Sequence, residues 1–197
     1  MGERLGQILV IDNRVGANGN IGTDAVAKAT PDGYTLLLGS TPNIAINPAL
    51  YPKIPFDARR DLVPVVALGS SANVLVVNPS GPARNLKEFL DFAKSQAQPI
   101  AFASGGNGST GHLALEMLSD ASKVTFFHVP YKGGRKAVTD LIGGQVQALF
   151  FPAPAVLAHV RSGRLKAIAV ASVQRSSAMP EVPTIAESGF AGSSSNE

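Results

Sequence analysis

The sequence has no cysteine, no long hydrophobic run and few charged residues. Without cysteine it forms no disulfide bond and no thiolate metal site. No apolar stretch approaches the roughly 20 residues that a bilayer-spanning helix needs. Residues 1–6 also lack the hydrophobic segment of a secretory signal, so we expect no signal peptide in this chain as it is written.

Charged residues make up only 16% of the chain, and the formal net charge is +3. The basic residues are scattered, without the interleaved aromatic residues of a nucleic-acid groove, so we expect no nucleic-acid partner. A weak positive field suits an anionic small molecule. Apolar residues make up 45% of the 197 residues, which is enough to bury a core without cross-links.

Motifs of catalysis and metal binding are missing as well. The three histidines are far apart, no H-E-x-x-H occurs, and no glycine-rich loop ends in Gly-Lys-Ser/Thr. Ser109 is preceded two positions earlier by Asn107, where a nucleophile elbow requires glycine. We expect no metal, no cofactor and no enzyme activity, although a triad of distant residues leaves no mark in a sequence.

Short aliphatic runs alternate with amphipathic stretches, which is typical of an α/β fold with crossover connections. Strands of a mainly parallel sheet are predicted at 7–11, 34–38, 65–68, 74–77, 100–103, 124–128, 146–151 and 165–171. Helices are predicted at 21–29, 86–96, 111–122, 135–142 and 154–162. Asn85 is placed to cap the second of these helices.

Two points in the chain favour a division into two lobes. Consecutive extended segments at 65–70 and 73–78 interrupt the strand–helix alternation and predict a first crossing between lobes. The run at 165–171 predicts a second crossing. We therefore assign residues to lobes as follows: 1–72 to the first, 73–167 to the second, and 168–197 to a return to the first that ends in a disordered tail at 192–197.

The most informative segment is the glycine-rich loop at 104–112, between a predicted strand and a predicted helix. Its glycines allow a ligand to approach the backbone closely. Ser109 and Thr110 offer hydroxyls or a helix cap, and His112 lies on the first helical turn as a further candidate contact. The free amides of that turn form an anion site.

The same loop fits G-x-G-x-x-G at 106–111, so a dinucleotide site is an alternative. The next strand ends in His-Val-Pro-Tyr, without the acidic residue that binds a ribose. This leaves an NADP-binding oxidoreductase that uses Lys132 or Arg135. A glycine-rich turn without any ligand is a further alternative.

Polar residues also follow two other predicted strands. The loop after the strand at 124–128 should lie beside the first loop, at the carboxyl edge where open α/β sheets bind ligands. Its candidate residues are Tyr131, Lys132 and Gly133. The loop after the strand at 34–38 forms either a polar binding lip or an ordinary turn. Its candidate residues are Ser40, Thr41 and Asn43.

Eight segments together resemble the substrate-binding receptors of tripartite tricarboxylate transporters, the Bordetella-uptake or TctC-like family. In chain order they read DNRVGA (12–17), PDGYTLL (31–37), NP (47–48), SGGNGSTGH (104–112), VPYKG (129–133), DLIGGQV (140–146), SGRL (162–165) and PEVPTIAESGF (180–190). Their order and spacing agree along nearly the whole chain.

The resemblance implies a type II periplasmic-binding-protein fold, with two α/β lobes around a hinge and a first lobe that is incomplete in this chain. It implies a periplasmic, non-catalytic receptor that captures a small carboxylate, such as a di- or tricarboxylate or an acidic amino acid. The receptor would deliver it to the membrane subunits of the transporter. We expect a monomer. A truncated remnant that does not bind is the alternative that an incomplete lobe leaves open.

The resemblance also implies a set of ligand contacts. On the first lobe they are Ser40, Thr41 and Asn43. On the second lobe they are Ser104, Asn107, Ser109, Thr110, Tyr131, Lys132 and Gly133. Phe150 and Phe151 stand where the family often has an acidic or polar residue, which makes that end of the cleft more apolar.

Overall fold

The structure is a computed structural model that describes residues 2–190. The tail predicted at 192–197 lies outside the described residues. Within the described part, no helix is long and apolar enough to cross a bilayer.

The first third of the chain consists of short helices joined by loops. The helices are α1 (Gly2–Leu5), α2 (Asn20–Ala27) and α3 (Asn47–Leu50). A 3₁₀ turn at Ala17–Gly19 leads into α2, and a π-helical turn at Pro42–Ile46 leads into α3. The helix predicted at 21–29 corresponds to α2, whereas the helical segment from Pro42 to Leu50 was not predicted.

Three strands predicted in this part of the chain are wrong. Residues 7–11, 34–38 and 65–68 form no strand, and their aliphatic side chains are largely in solvent. Ile8 is 91% exposed and Val65 is 78% exposed. A strand needs a neighbour for its backbone hydrogen bonds, and these runs have none among residues 2–190.

One five-stranded sheet organises the rest of the chain. Its strands are β1 (Asn73–Val77), β2 (Ala101–Ser104), β3 (Phe127–Pro130), β4 (Ala148–Pro152) and β5 (Lys166–Val170). They lie side by side in the order β3-β2-β4-β1-β5. β2 is parallel to β3 and β4, whereas β1 is antiparallel to β4 and β5. The mainly parallel sheet is thus confirmed for four strands, and β1 alone runs against them.

Four helices follow the strands and cover both faces of this sheet. They are α4 (Leu86–Ser95), α5 (Thr110–Ser122), α6 (Gly134–Ile142) and α7 (Ala153–Arg161), each within one or two residues of its prediction. Successive strand residues point to opposite faces, so Leu75 packs with α4 and α5, whereas Val74 packs with α6 and α7. All five residues of β1 are buried, as a strand covered on both faces requires.

The start of α4 confirms the predicted cap. The Asn85 side chain accepts a hydrogen bond from the Glu88 amide at 2.9 Å, which satisfies one of the four free amides of the helix start. The predicted apolar stripe is buried against the sheet; its residues are Leu86, Phe89, Leu90 and Ala93.

The chain beyond β5 stays beside the sheet. Val170 forms a parallel bridge with Thr184, and the Ile185 amide donates to the Val170 carbonyl at 3.0 Å. Ile185 and Val182 are buried in the two cores, so this segment covers the outer edge of β5. The boundary at 167 falls inside β5, and the assignment of later residues to a first lobe stays a prediction.

Candidate functional site

The two glycine-rich loops after β2 and β3 lie next to each other. β2 and β3 are parallel, with Ser104 in register with Pro130, so both loops begin at the same edge of the sheet. The Tyr131 amide donates to the Ser104 carbonyl at 3.1 Å, and the Gly133 amide donates to the Gly105 carbonyl at 3.3 Å. The predicted proximity of these loops is confirmed, and two amides of the second loop are used to hold them together.

The first loop turns sharply into α5. Gly106 and Gly108 have φ angles of 131° and 77°, which glycine adopts without steric cost. Ser109 is the helix cap, since its Oγ accepts from the His112 amide at 3.2 Å. The next two amides, of Thr110 and Gly111, have no carbonyl of the helix behind them and carry the positive end of its dipole. Asn107, at the tip of the turn, is exposed, and the Thr110 side chain is buried.

The second loop turns into α6 without a side-chain cap. Gly133 is the N-cap residue, with φ at 101°, and no side chain bonds the first-turn amides of α6. Lys132 is exposed beside it, as are Arg135 and Lys136 on the helix. This edge of the sheet therefore presents two neighbouring helix starts, with an exposed lysine beside the second, an arrangement that favours an anion.

Buried Ser104 and two partly buried histidines form a cluster beneath the loops. Ser104 is fully buried, and its Oγ lies 2.7 Å from His128 Nε2, 3.1 Å from the Gly106 amide and 3.2 Å from the Gly106 carbonyl. All three bonds form together when His128 carries its hydrogen on Nε2, because the hydroxyl then accepts twice and donates once. The Ser104 hydroxyl thus holds the turn in shape.

His112 connects this cluster to the turn above it. Its ring stacks on His128, with centroids 4.0 Å apart. Its Nδ1 accepts from the Gly108 amide at 3.2 Å, and its Nε2 lies 3.4 Å from Glu116 on the next turn of α5. His112 therefore fixes the conformation of the turn that presents Ser109.

The Tyr131 hydroxyl is occupied within the protein. It donates to Asp140 Oδ2 at 2.8 Å. Burial, and then the hydrogen bond to Asp140, raises the pKa of Tyr131 above its usual value. The hydroxyl is thus neutral at physiological pH and tied to α6, and the ring supports the second loop.

The predicted lip of the first lobe is an internally bonded turn. Asn43 is buried, and its Oδ1 accepts from the Ser40 amide at 2.8 Å and from the Ser40 hydroxyl at 3.1 Å. Asn43 Nδ2 donates to Thr23 Oγ1 at 2.7 Å. Ser40 is exposed and Thr41 is half-buried, so these two remain accessible beside a fixed asparagine.

Sequence reasoning missed the contact between this part of the chain and the first loop. A Cβ on Gly108 would lie 2.5 Å from Leu50 Cδ2, and 3.3 Å from both Asn18 Nδ2 and Asn47 Oδ1. Asn18 donates to Asn47 Oδ1 at 3.0 Å, and Asn47 donates back to the Asn18 carbonyl at 3.1 Å. Gly108 thus packs directly on an asparagine cluster whose members are distant in sequence, which gives no local signal.

A cavity of about 420 Å³ lies elsewhere, between the start of α7 and the chain after β5. Serines and Arg175 line it, and none of the predicted site residues does. Among residues 2–190, no three histidine and acidic side chains are grouped to hold a metal ion.

Comparison with known proteins identifies relatives over nearly the whole chain. The family described as "Tripartite tricarboxylate transporter family receptor" matches residues 1–196. Protein BugT of Bordetella pertussis is 44% identical over 189 residues, which are 95% of this chain and 58% of BugT. The chain thus spans little more than half the length of this relative.

Two solved structures extend the comparison to the fold. Rpa4515 of R. palustris, determined with adipate, superposes with a TM-score of 0.95 at 32% identity, over 99% of this chain and 65% of that one. The periplasmic binding protein BugD superposes with a TM-score of 0.92 at 33% identity, again over 99% and 65%. These matches support a binding protein and give no support to an NADP-dependent oxidoreductase.

Proposed function

The chain belongs to the tripartite tricarboxylate transporter receptor family, and we propose that it captures a small carboxylate between two α/β lobes for delivery to a membrane transporter. The solved relative that holds adipate supports a carboxylate ligand. Family members are periplasmic, and we propose the periplasm for this protein as well. Its partners would be the membrane subunits of the transporter, and it would act as a monomer without turnover.

The observation that carries this proposal is the pair of helix starts at one sheet edge. The first-turn amides of α5 and α6 lack intrahelical acceptors, and Lys132, the residue before the Gly133 cap of α6, is exposed. Hydrogen bonds to a charged group are worth about 1.5–3 kcal/mol each. Three such bonds with lobe closure reach the roughly 8 kcal/mol of a micromolar complex.

The predicted contacts divide into two groups by what the structure leaves free. We propose direct contact for residues with accessible groups at the loops: Ser40, Thr41, Asn107, Ser109 and Lys132. We propose that Thr110, whose side chain is buried, contributes only its uncapped amide. We propose that Gly133, whose amide donates to Gly105, shapes the second loop. We propose a positioning role for residues whose polar atoms are bonded internally: Asn43, Ser104, His112 and Tyr131. The Phe151 side chain has no polar atom, so it can make only apolar contacts.

The lobe division supports capture by closure. We propose that residues 1–72 and 168–197 contribute to one lobe and that residues 73–167 form the other. Gly108 lies in the loop between β2 and α5 and packs against Leu50. The two proposed lobes therefore touch beside the proposed carboxylate site. A ligand that contacts both lobes stabilises the closed population.

Calorimetric titration of the purified chain with succinate, adipate, malate and citrate tests the proposal. We expect saturable binding of at least one of them without chemical change of the ligand. Lys132→Ala should weaken it roughly tenfold or more, since a charge-assisted bond is lost. The matched control Lys136→Ala, two residues into α6 and equally exposed, should stay within about twofold.

Two outcomes would contradict the proposal. One is the absence of binding by every carboxylate tested; if a full-length relative binds under the same conditions, this chain is a non-binding remnant. The other is equal weakening by Lys132→Ala and Lys136→Ala, which would mean that the site lies elsewhere. Protection by NADP, weakened by Lys132→Glu, would favour the oxidoreductase instead.

A further inference from the structure

Two consecutive phenylalanines lie near the end of β4, before Pro152, and face opposite sides of the sheet. Phe150 is fully buried and packs with α4 and α5, in contact with the Phe102 ring at a centroid distance of 5.4 Å. Phe151 is half-buried and packs on the side of α6 and α7. Phe150 therefore belongs to the core and is not part of a cleft, whereas Phe151 remains partly exposed.

The Phe151 ring lies between the two loops that carry the proposed site. A Cβ on Gly134, the first residue of α6, would overlap the Cε2 and Cζ atoms of this ring. The same Cε2 atom lies 4.0 Å from the position of a Cβ on Gly105, which is itself 3.9 Å from Ser109 Oγ. One point in the first loop is thus within van der Waals reach of both an aromatic carbon and the capping hydroxyl.

The polar groups near the ring are either bonded within the protein or, like Ser109 Oγ and the first-turn amides of α6, proposed above to bind the carboxylate group. The Tyr131 hydroxyl, on the neighbouring loop, donates to Asp140, and the Gly133 amide donates to Gly105. A ligand hydroxyl against the ring would lose its hydrogen bonds to water without gaining a partner, which weakens binding. Methylene or aryl groups there strengthen binding, because they remove apolar surface from water.

We propose that Phe151 is a specificity-determining residue, which selects carboxylates with an unsubstituted hydrocarbon body over hydroxy- and amino-carboxylates. The inference rests on the proposed receptor function and narrows its ligand class. In this arrangement the helix starts and Lys132 bind a carboxylate group, and the ring contacts the carbon chain or aromatic ring attached to it. Gly134 is required because any side chain there would displace the ring.

Dissociation constants for adipate, succinate, malate and aspartate, measured by calorimetry on the purified chain, test this assignment. Succinate, malate and aspartate share a four-carbon skeleton and differ only in a hydroxyl or ammonium group. We expect adipate and succinate to bind at least about tenfold more tightly than malate and aspartate. Phe151→Asn should remove most of this preference by offering an amide to the substituent.

A matched control replaces an aromatic residue away from the loops. Phe127 is 63% exposed at the opposite end of β3 from the loop that follows Pro130, so Phe127→Asn should keep the wild-type preference. If either variant does not fold, the wild-type series still tests the expected preference for adipate and succinate over malate and aspartate.

The outcomes separate this inference from the function it rests on. Equal or tighter binding of malate or aspartate by the wild-type chain overturns the role of Phe151 and leaves the carboxylate receptor standing. Preference for aspartate in particular would show an ammonium group on the aromatic face. An unchanged ligand preference in Phe151→Asn also overturns the role of Phe151. If no member of the series binds, both proposals fail.

Discussion

The imidazole rings of His112 and His128 stack face to face, with centroids 4.0 Å apart and planes inclined by 15°. One ring belongs to the first turn of α5 and the other to β3, so the stack joins the two elements whose ends carry the proposed site. Both rings are bonded beyond the stack, His128 to Ser104 and His112 to the Gly108 amide. Protonating either ring adds a charge beside its neighbour.

Stability should fall as the pH drops through the titration range of His128. Burial, and then the neighbouring His112, lowers the pKa of His128 from 6.5 to about 4. Between these values the unfolded chain binds a proton that the folded chain does not, so stability is complete above about pH 6.5 and decreases toward pH 4. Because the ring is partly exposed, we expect a loss of only about 1–2 kcal/mol.

Urea unfolding at pH 7.5 and pH 4.5 measures this loss. His128→Gln should show a smaller decrease than the wild type, because it has no group to titrate. His159→Gln removes an imidazole from the end of α7, outside the stacked pair, and should decrease as the wild type does. Equal decreases in the free energy of unfolding of all three proteins would show that His128 does not cause the loss of stability at low pH.

Gly111→Ala should destabilise the fold by about 2–4 kcal/mol. A Cβ at this position would overlap the backbone carbonyl of Phe150, and neither α5 nor β4 can move without disturbing the core. Gly143→Ala is the control, since its φ is −76° and a Cβ there would lie 3.5 Å from the Thr139 carbonyl oxygen. We expect less than about 1 kcal/mol of change in the control. Comparable unfolding midpoints for the two variants would show that α5 does not pack closely on β4.

Asn73→Leu should stabilise the fold by about 1–2 kcal/mol. Asn73 is fully buried at the start of β1, and neither of its side-chain polar atoms has a hydrogen-bond partner among residues 2–190. Asn47→Leu is the contrasting variant, because Asn47 is equally buried but donates to Asn20 Oδ1 at 2.6 Å. It should destabilise by about 2–3 kcal/mol. Thermal unfolding of both variants tests these two effects. A melting temperature of Asn73→Leu below that of the wild type would contradict the expected stabilisation.

The sequence predicted the elements whose pattern is local. The stripe of α4 and its Asn85 cap are set by residues within one or two helical turns, and both are confirmed. The start of β3 was predicted three residues early because Val124 is aliphatic. In the structure Val124 is buried, but it lies in the loop before the strand. The strands expected at 7–11 and 34–38 failed because strand formation depends on a pairing partner, which aliphatic composition does not reveal.

The candidate site was predictable to the level of loops and no further. Parallel strands followed by helices bring their loops to one edge, which places Ser109 near Gly133 from topology alone. Which polar groups remain free depends on contacts between distant residues. The Tyr131 hydroxyl bonds to Asp140 and the Ser104 hydroxyl bonds to His128, and neither pairing has a signature in the sequence. The contact of Gly108 with Leu50 is of the same kind.

The central place of β1 in the sheet determines when the sheet can form. Val77 pairs with Ala148 of β4 and with Lys166 of β5, so the first strand of the sheet to leave the ribosome has neighbours that are synthesised much later. Contacts of such long sequence separation slow folding. Until β4 and β5 are synthesised, the apolar run of β1 is uncovered, and the nascent chain is open to aggregation or to capture by a chaperone.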